Sequence, residues 1–256
     1  MSWSAAQYRR FEDERNRPIG DLLARVAERD VTRVADLGCG PGNSTELLQG
    51  RFPQASVTAI DSSPDMIAAA RRRLPDVAFE LGDIATWADT GPFDLILSNA
   101  ALHWVPDHAV LLPRLIDSLA PGGQLAVQMP HNLDAPTHRL MRELAAQAPW
   151  AEALAGAADT RAPQHDAAWY YRTLRPLTTR LDIWLTVYHH PLADGLDGIV
   201  EWFKGSALRP FLDRLDARQA ELFLARYRSA LESTYTPFPD GSLLLPFPRL
   251  FIVATR

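Results

Sequence analysis

One cysteine, Cys39, stands in the 256 residues, so an internal disulfide is impossible and a multi-cysteine metal site is excluded. Lysine is equally scarce. Lys204 is the only one, and the other 25 of the 26 basic residues are arginine. Anion recognition therefore falls almost wholly to guanidinium forks, which suit carboxylates. Excess positive charge is missing too: the net charge of −5 leaves no electrostatic footprint for nucleic acid. No apolar run approaches the roughly 20 residues that span a bilayer, and "MSWSAAQYRRFEDERNRP" carries no apolar signal core. A cytosolic protein with a small-molecule partner and no membrane or nucleic-acid role is the expectation. Internal repeats and low-complexity linkers are also absent.

What is present alternates. Residues 19–29 place Ile19, Leu22, Leu23 and Val26 on one helical face, with Pro18 near the first turn. "RVADL" reads as a buried strand, and Asn43 to Gly50 as a helix. "SVTAID" (56–61) is a second strand, followed by a helix to Leu74 with Ser63 as its N-cap. Strands over 77–83 and 93–100, a helix over 107–119 ended by "PGG", and a strand "QLAVQMP" complete the series. Strands alternating with helices imply an α/β fold, a doubly wound, mostly parallel sheet covered on both faces. Residues 131–177 and 191–239 read as a helical cap. The strands over 180–190 and "RLFIVAT" are expected to pair at one sheet edge. The core is then expected over 1–130, 178–190 and 240–256.

The chemistry begins at "VADLGCGPGNST", where Gly38, Gly40 and Gly42 alternate straight after the first strand. A strand, a glycine turn and a helix N-terminus can present backbone N–H groups to a ligand. A dinucleotide fingerprint would read G-x-G-x-x-G, and this spacing is G-x-G-x-G. Asp61 ends the second strand 19 residues beyond Gly42, where a carboxylate can accept ribose hydroxyls. Asp83, in "LGDI" after the third strand, can accept from an adenine amino group.

With "DLGCGPG", Asp61, "GDI", "DLILSNAALHW", "LAPGGQLAV" and the two final strands, the chain resembles the class I S-adenosylmethionine-dependent methyltransferases over nearly its whole length. That resemblance implies a Rossmann-like seven-stranded sheet with an antiparallel last strand, and S-adenosylmethionine as cofactor. It implies that Asp36 and Gly38 to Gly42, among them Cys39 and Gly40, flank the methionine part, with Asn43 in the same set. Asp61 and Ser62 would lie at the ribose, Asp83 and Ile84 at the adenine, and Asn99 near the transferred methyl. Amino-methylating members carry Asn-Pro-Pro-Tyr after the fourth strand. Asn99-Ala100-Ala101-Leu102 departs from it, which disfavours a nucleobase or amide acceptor.

Further segments, "NAALHWVPDH", "WYYRTLRP" and "EWFKGSALRPFLD" among them, resemble members of the family that methylate a small polycarboxylate. An ionised carboxylate can attack a methyl group without a general base, and neither a catalytic triad nor a metal cluster is evident. Catalysis is then expected to rest on orientation. Candidates for gripping the acceptor are Tyr8, Arg15 and Arg17 in the N-terminal arm, His103 and Trp104 after the fourth strand, and Gln128 at the fifth. Tyr170, Tyr171, Lys204 and Arg209 join them from the cap. Another small carboxylate or hydroxylated metabolite as acceptor, a non-catalytic S-adenosylmethionine-binding protein, and a nicotinamide oxidoreductase stay open as alternatives.

Overall fold

The computed structural model describes residues 12–27, 29–88, 91–160 and 165–256. Its strands are β1 Arg33–Leu37, β2 Ser56–Asp61, β3 Ala78–Leu81, β4 Phe93–Asn99, β5 Leu119–Pro130, β6 Arg180–Leu192 and β7 Leu243–Thr255. They form one seven-stranded sheet in the order β3-β2-β1-β4-β5-β7-β6. Strands β1 to β5 pair in parallel, and β7 runs antiparallel to β5. The order reverses between β1 and β4, the switch point at which open α/β sheets receive their ligands. No helix among the described residues is long and apolar enough to cross a membrane.

Two compact units divide the chain. The sheet unit comprises Met1–Pro130, Ala162–Thr186 and Arg249–Arg256, and the helical unit His131–Arg161 and Val187–Pro248. In the sheet unit, helices α1 Glu12–Leu23, α2 Asn43–Arg51, α3 Pro64–Arg73 and α4 His108–Asp117 accompany the strands. Strands β1 and β4 are buried almost end to end, as parallel strands covered on both faces must be. Ser63 caps α3 by accepting from the Met66 N–H, as its position before Pro64 predicts.

Ile19, Leu22, Leu23 and Val26 are buried as expected, yet α1 starts at Glu12 and ends at Leu23. Pro18 therefore sits inside the helix and not at its first turn. Bonds from the Arg25 and Val26 N–H groups reach back only three residues, to Leu22 and Leu23, and tighten the helix to its end. Strand β5 begins ahead of "PGG", because Phe93 pairs with Leu119. The cap boundary expected at 177 also moves. Helix α5 is Pro136–Ala145, and the next, α6 Ala167–Leu174, groups with the sheet, since Tyr170 and Leu174 lie in its main apolar cluster beside Leu115 and Leu119.

The helical unit holds α5, α7 Gly195–Lys204, α8 Arg209–Leu212 and α9 Ala217–Leu231. Aromatic rings fill its interior. Trp150 meets Phe223 edge to face at 5.3 Å, and His190 stacks on Trp202 at 4.5 Å. Asp216 and Gln219 form a capping box that starts α9.

Candidate active site

Parallel strands deliver their carboxyl ends to one edge, so β1, β2, β4 and β5 bring Asp36, Asp61, Asn99 and Gln128 to the same side of the sheet. Asp83 follows two residues after β3. Residues far apart in sequence thus share an edge for purely topological reasons.

Asp36 is fully buried. Its Oδ2 accepts from the hydroxyls of Ser44 and Thr45, each at 2.7 Å, and its Oδ1 has no hydrogen-bond partner. Burial pushes the carboxyl up to about 6; the two hydroxyls pull it back, and the nearby charge of Asp61 adds to the rise. Neither Ser44 nor Thr45 was among the residues expected at the site. Their signal was available: two hydroxyls in the first helical turn after the glycine loop.

The loop itself behaves differently from expectation. Gly38, Gly40 and Gly42 hold φ of +80°, +56° and +95°, which a side chain would strain. A Cβ on Gly38 would collide with that of Ala101. At Gly40, by contrast, nothing lies within 4 Å of where a Cβ would stand, so the loop is open there. Its N–H groups are not aimed outward. Those of Gly38 and Cys39 donate to the Ile60 carbonyl at 2.8 and 2.9 Å, and that of Gly42 to Cys39 at 3.1 Å. The Gly40 N–H donates to Asp61 Oδ2 at 2.9 Å. The neighbouring strand braces the turn, which leaves side-chain carboxylates as the polar groups on offer.

Asp61 also accepts from the Ser63 N–H at 2.8 Å. Burial raises its carboxyl, and the two backbone donors act against that rise while fixing its orientation. Ser62 beside it is exposed. Cys39 packs with Ala59, Ile67, Ala70 and Phe79, and burial pushes its thiol far up, so its side chain serves the core. Asn43 donates to Asn16 Oδ1 at 3.1 Å, tying α2 to α1. Asp83 is exposed and accepts from the Ala85 N–H at 2.9 Å, while Ile84 turns inward to the main cluster.

On β4, Asn99 is buried and its Oδ1 lacks a partner. Ala100 follows at φ +52°, strained for a residue with a side chain. The His103 and Trp104 rings lie 4.9 Å apart on the 3₁₀ turn Leu102–Trp104, the first buried and the second half-buried. Gln128 is fully buried and accepts from Arg249 Nη1 at 3.2 Å. Arg249 is buried as well, and no local pattern announced it: it lies 121 residues from its partner.

Tyr8 lies outside the described residues. Arg15 is half-buried and Arg17 exposed on α1. Tyr170 is buried in the main apolar cluster, with its hydroxyl 2.8 Å from His108 Nδ1. His108 Nε2 lies 2.8 Å from the Leu102 carbonyl, which can only accept, so Nδ1 of the neutral ring receives the Tyr170 proton. Burial accordingly lowers the His108 pKa and pushes the Tyr170 phenol well up. Tyr171 is exposed. In the helical unit, Lys204 pairs with Glu201, and Arg209 lies 3.8 Å from Asp213.

This donor set fits the cofactor that the resemblance implies. Asp36, Asp61 and Asp83 offer acceptors for an ammonium group and hydroxyls, and the unpartnered Oδ1 of Asp36 awaits a donor.

Residues 34–123 match the family model described as a methyltransferase domain. The chain is 54% identical to the trans-aconitate 2-methyltransferase of Variovorax paradoxus (strain S110), over 100% of this chain and 99% of that one. It is 56% identical to the protein of the same name from Methylobacterium nodulans, over 99% and 98% of the two chains. Among solved structures, the YcgJ protein of Bacillus subtilis shares the fold at a TM-score of 0.61, with 14% identity over 94% of this chain and 98% of that one. Phosphoethanolamine N-methyltransferase 2 of Haemonchus contortus shares it at 0.56, with 16% identity over 93% and 52%. The two enzymes named for trans-aconitate are similar from end to end, through both the sheet unit and the helical unit, and the chain belongs to the trans-aconitate 2-methyltransferase family.

Proposed function

We propose that this chain transfers a methyl group from S-adenosylmethionine to a carboxylate of trans-aconitate, forming a monomethyl ester. The observation that carries this reading is the 54% identity over the full chain, because the helical unit is included. The glycine loop alone serves many acceptor specificities. When bound, S-adenosylmethionine supplies an electrophilic methyl group on a positive sulfonium. Asp36 and Asp61 bind and orient the donor through carboxylates held in place by Ser44, Thr45 and two backbone N–H groups. Asn99 borders the reacting centre at the end of β4. A carboxylate acceptor is ionised at neutral pH, so the reading assigns no residue to proton removal. Holding the two reactants in line can lower the barrier by up to roughly 7–11 kcal/mol.

Acceptor recognition falls to cations and hydrogen-bond donors, which Arg15, Arg17, His103, Trp104 and Gln128 offer within the sheet unit. Guanidinium forks match carboxylates in shape as well as charge. A cytosolic setting belongs to the same proposal, since the methyl donor is a cytosolic metabolite. The test is purified protein with methyl-labelled S-adenosylmethionine against trans-aconitate, cis-aconitate, citrate and simple dicarboxylates. Labelled ester from trans-aconitate in clear excess is the expected result. Label appearing only in another acceptor, or in none, overturns the proposal.

A further inference from the structure

Three adjacent strands carry an unusual run of buried polar side chains on one face of the sheet. Leu125, Val127 and Met129 of β5 and Leu250 and Ile252 of β7 point into the main apolar cluster. Strand alternation then turns Gln128 and Arg249 to the opposite face. Asn99 is in register with Gln128, and Pro130 with Arg249, so the three polar residues sit side by side at the carboxyl edge of the parallel strands. Each is at least 92% buried.

The amide of Gln128 can point only one way. A guanidinium has donors and no acceptor, so the atom facing Arg249 Nη1 at 3.2 Å must be the oxygen. Its NH2 group is thereby directed elsewhere, and Gln128 Nε2 is buried with no hydrogen-bond partner. A fully buried donor without an acceptor is rare in a folded protein and points to an absent ligand oxygen. Beside it stands a guanidinium that stays charged at any physiological pH. Donor and cation together ask for an anionic oxygen pair.

We propose that Arg249, with Gln128 Nε2, grips one carboxylate of the acceptor and is a specificity-determining residue of this enzyme. The inference rests on the reading of the acceptor as trans-aconitate. The bond from Arg249 holds the Gln128 amide oriented for the same ligand. Alternation places both on the face that also carries Asn99, so an acceptor gripped there is held beside the strand end assigned to the methyl group.

The experiment separates this inference from the functional reading. Binding of trans-aconitate is measured by calorimetry in the presence of S-adenosylhomocysteine, for the wild type and for Arg249→Gln, Arg249→Lys and Gln128→Glu. Methyl transfer by the wild type is assayed separately with labelled cofactor. Arg249→Gln is expected to lose about ten- to a hundredfold in trans-aconitate affinity. Arg249→Lys keeps the charge without the fork and should lose less. Gln128→Glu removes the Nε2 donor and puts a protein carboxylate beside Arg249, so it should expel the ligand carboxylate. S-adenosylhomocysteine affinity near that of the wild type shows that a variant is folded. If Arg249→Gln does not fold, Gln128→Glu decides the matter. Trans-aconitate affinity unchanged in the folded variants, or no binding by the wild type, overturns the inference. If the wild type binds trans-aconitate and transfers no label, the functional reading falls while the Arg249 contact is still judged by binding.

Discussion

The sheet unit buries Asp36, Ser44, Thr45, Asn99, His108, Gln128 and Arg249, whereas the helical unit encloses mainly rings, among them Trp150, Trp202, Phe203, Phe211 and Phe223. The two interiors follow different logic. Apolar burial is worth about 25 cal/mol per Å² and asks only for shape; it dominates the helical unit, where Asn132 Oδ1 and Trp150 Nε1 are nonetheless buried without a hydrogen-bond partner. Buried polar groups cost free energy unless each finds a partner. The sheet unit leaves some of them incomplete, notably Asp36 Oδ1, Asn99 Oδ1 and Gln128 Nε2. These three lie towards the carboxyl ends of the adjacent strands β1, β4 and β5, where a ligand can complete the bonding. In the helical unit, ring packing speaks for stability.

That contrast can be broken most sharply at Phe223, which is fully buried between Trp150 and Phe211. Phe223→Ala should cost about 3–5 kcal/mol in denaturant unfolding and leave S-adenosylhomocysteine affinity unchanged in the folded fraction. A variant of normal stability with lost cofactor binding would contradict the division of labour. Next in size is Asp61→Ala, which removes the charged acceptor of the Gly40 and Ser63 N–H groups. Charge-assisted bonds contribute about 1.5–3 kcal/mol, so calorimetry should show roughly ten- to a hundredfold weaker S-adenosylhomocysteine binding.

The third test uses pH. The carboxyl of Asp36 titrates near 6 in the fold, above its ordinary 3.8, so the folded protein holds that proton more tightly than the unfolded chain does. Its burial therefore costs stability progressively as pH rises from 3.8 to about 6, and the full cost remains above that. A ligand ammonium favours the ionised form. Cofactor affinity should fall as pH drops below about 6, by at most tenfold per pH unit for this one group. Asp36→Asn should flatten that dependence; an equally steep curve in the variant assigns the proton elsewhere. The smallest effect is expected from Tyr170→Phe. Losing the hydroxyl leaves His108 Nδ1 without its donor, at a cost of roughly 0.5–1.5 kcal/mol. The KM for trans-aconitate should stay put, and a marked rise would put Tyr170 at the acceptor site.

Much of the sheet unit was readable in advance. Strands β1, β2 and β4 fall where their apolar runs predict, and Ser63 caps its helix, because both signals act over a few residues. The extent of β7 was not readable: only Arg249 to Thr255 was expected, and the strand starts at Leu243. Pro18 inside α1 was likewise missed, since proline more often opens a helix than continues one. Asp36 and Asp61 were recognisable as carboxylates towards strand ends. The bracing of the glycine turn by the Ile60 carbonyl needs a neighbouring strand that no local pattern contains.

Left to itself, then, the sequence determined the α/β order, the alternate-glycine turn and the placing of carboxylates at strand ends, because period and turn chemistry are short-range. Tertiary structure decided which polar groups meet. It withdrew Tyr170 into the core against His108, turned the loop N–H groups inward, and set Arg249 against Gln128 across 121 residues of chain. Such pairings depend on strand register and on which face alternation presents, and both are settled only when the sheet has formed.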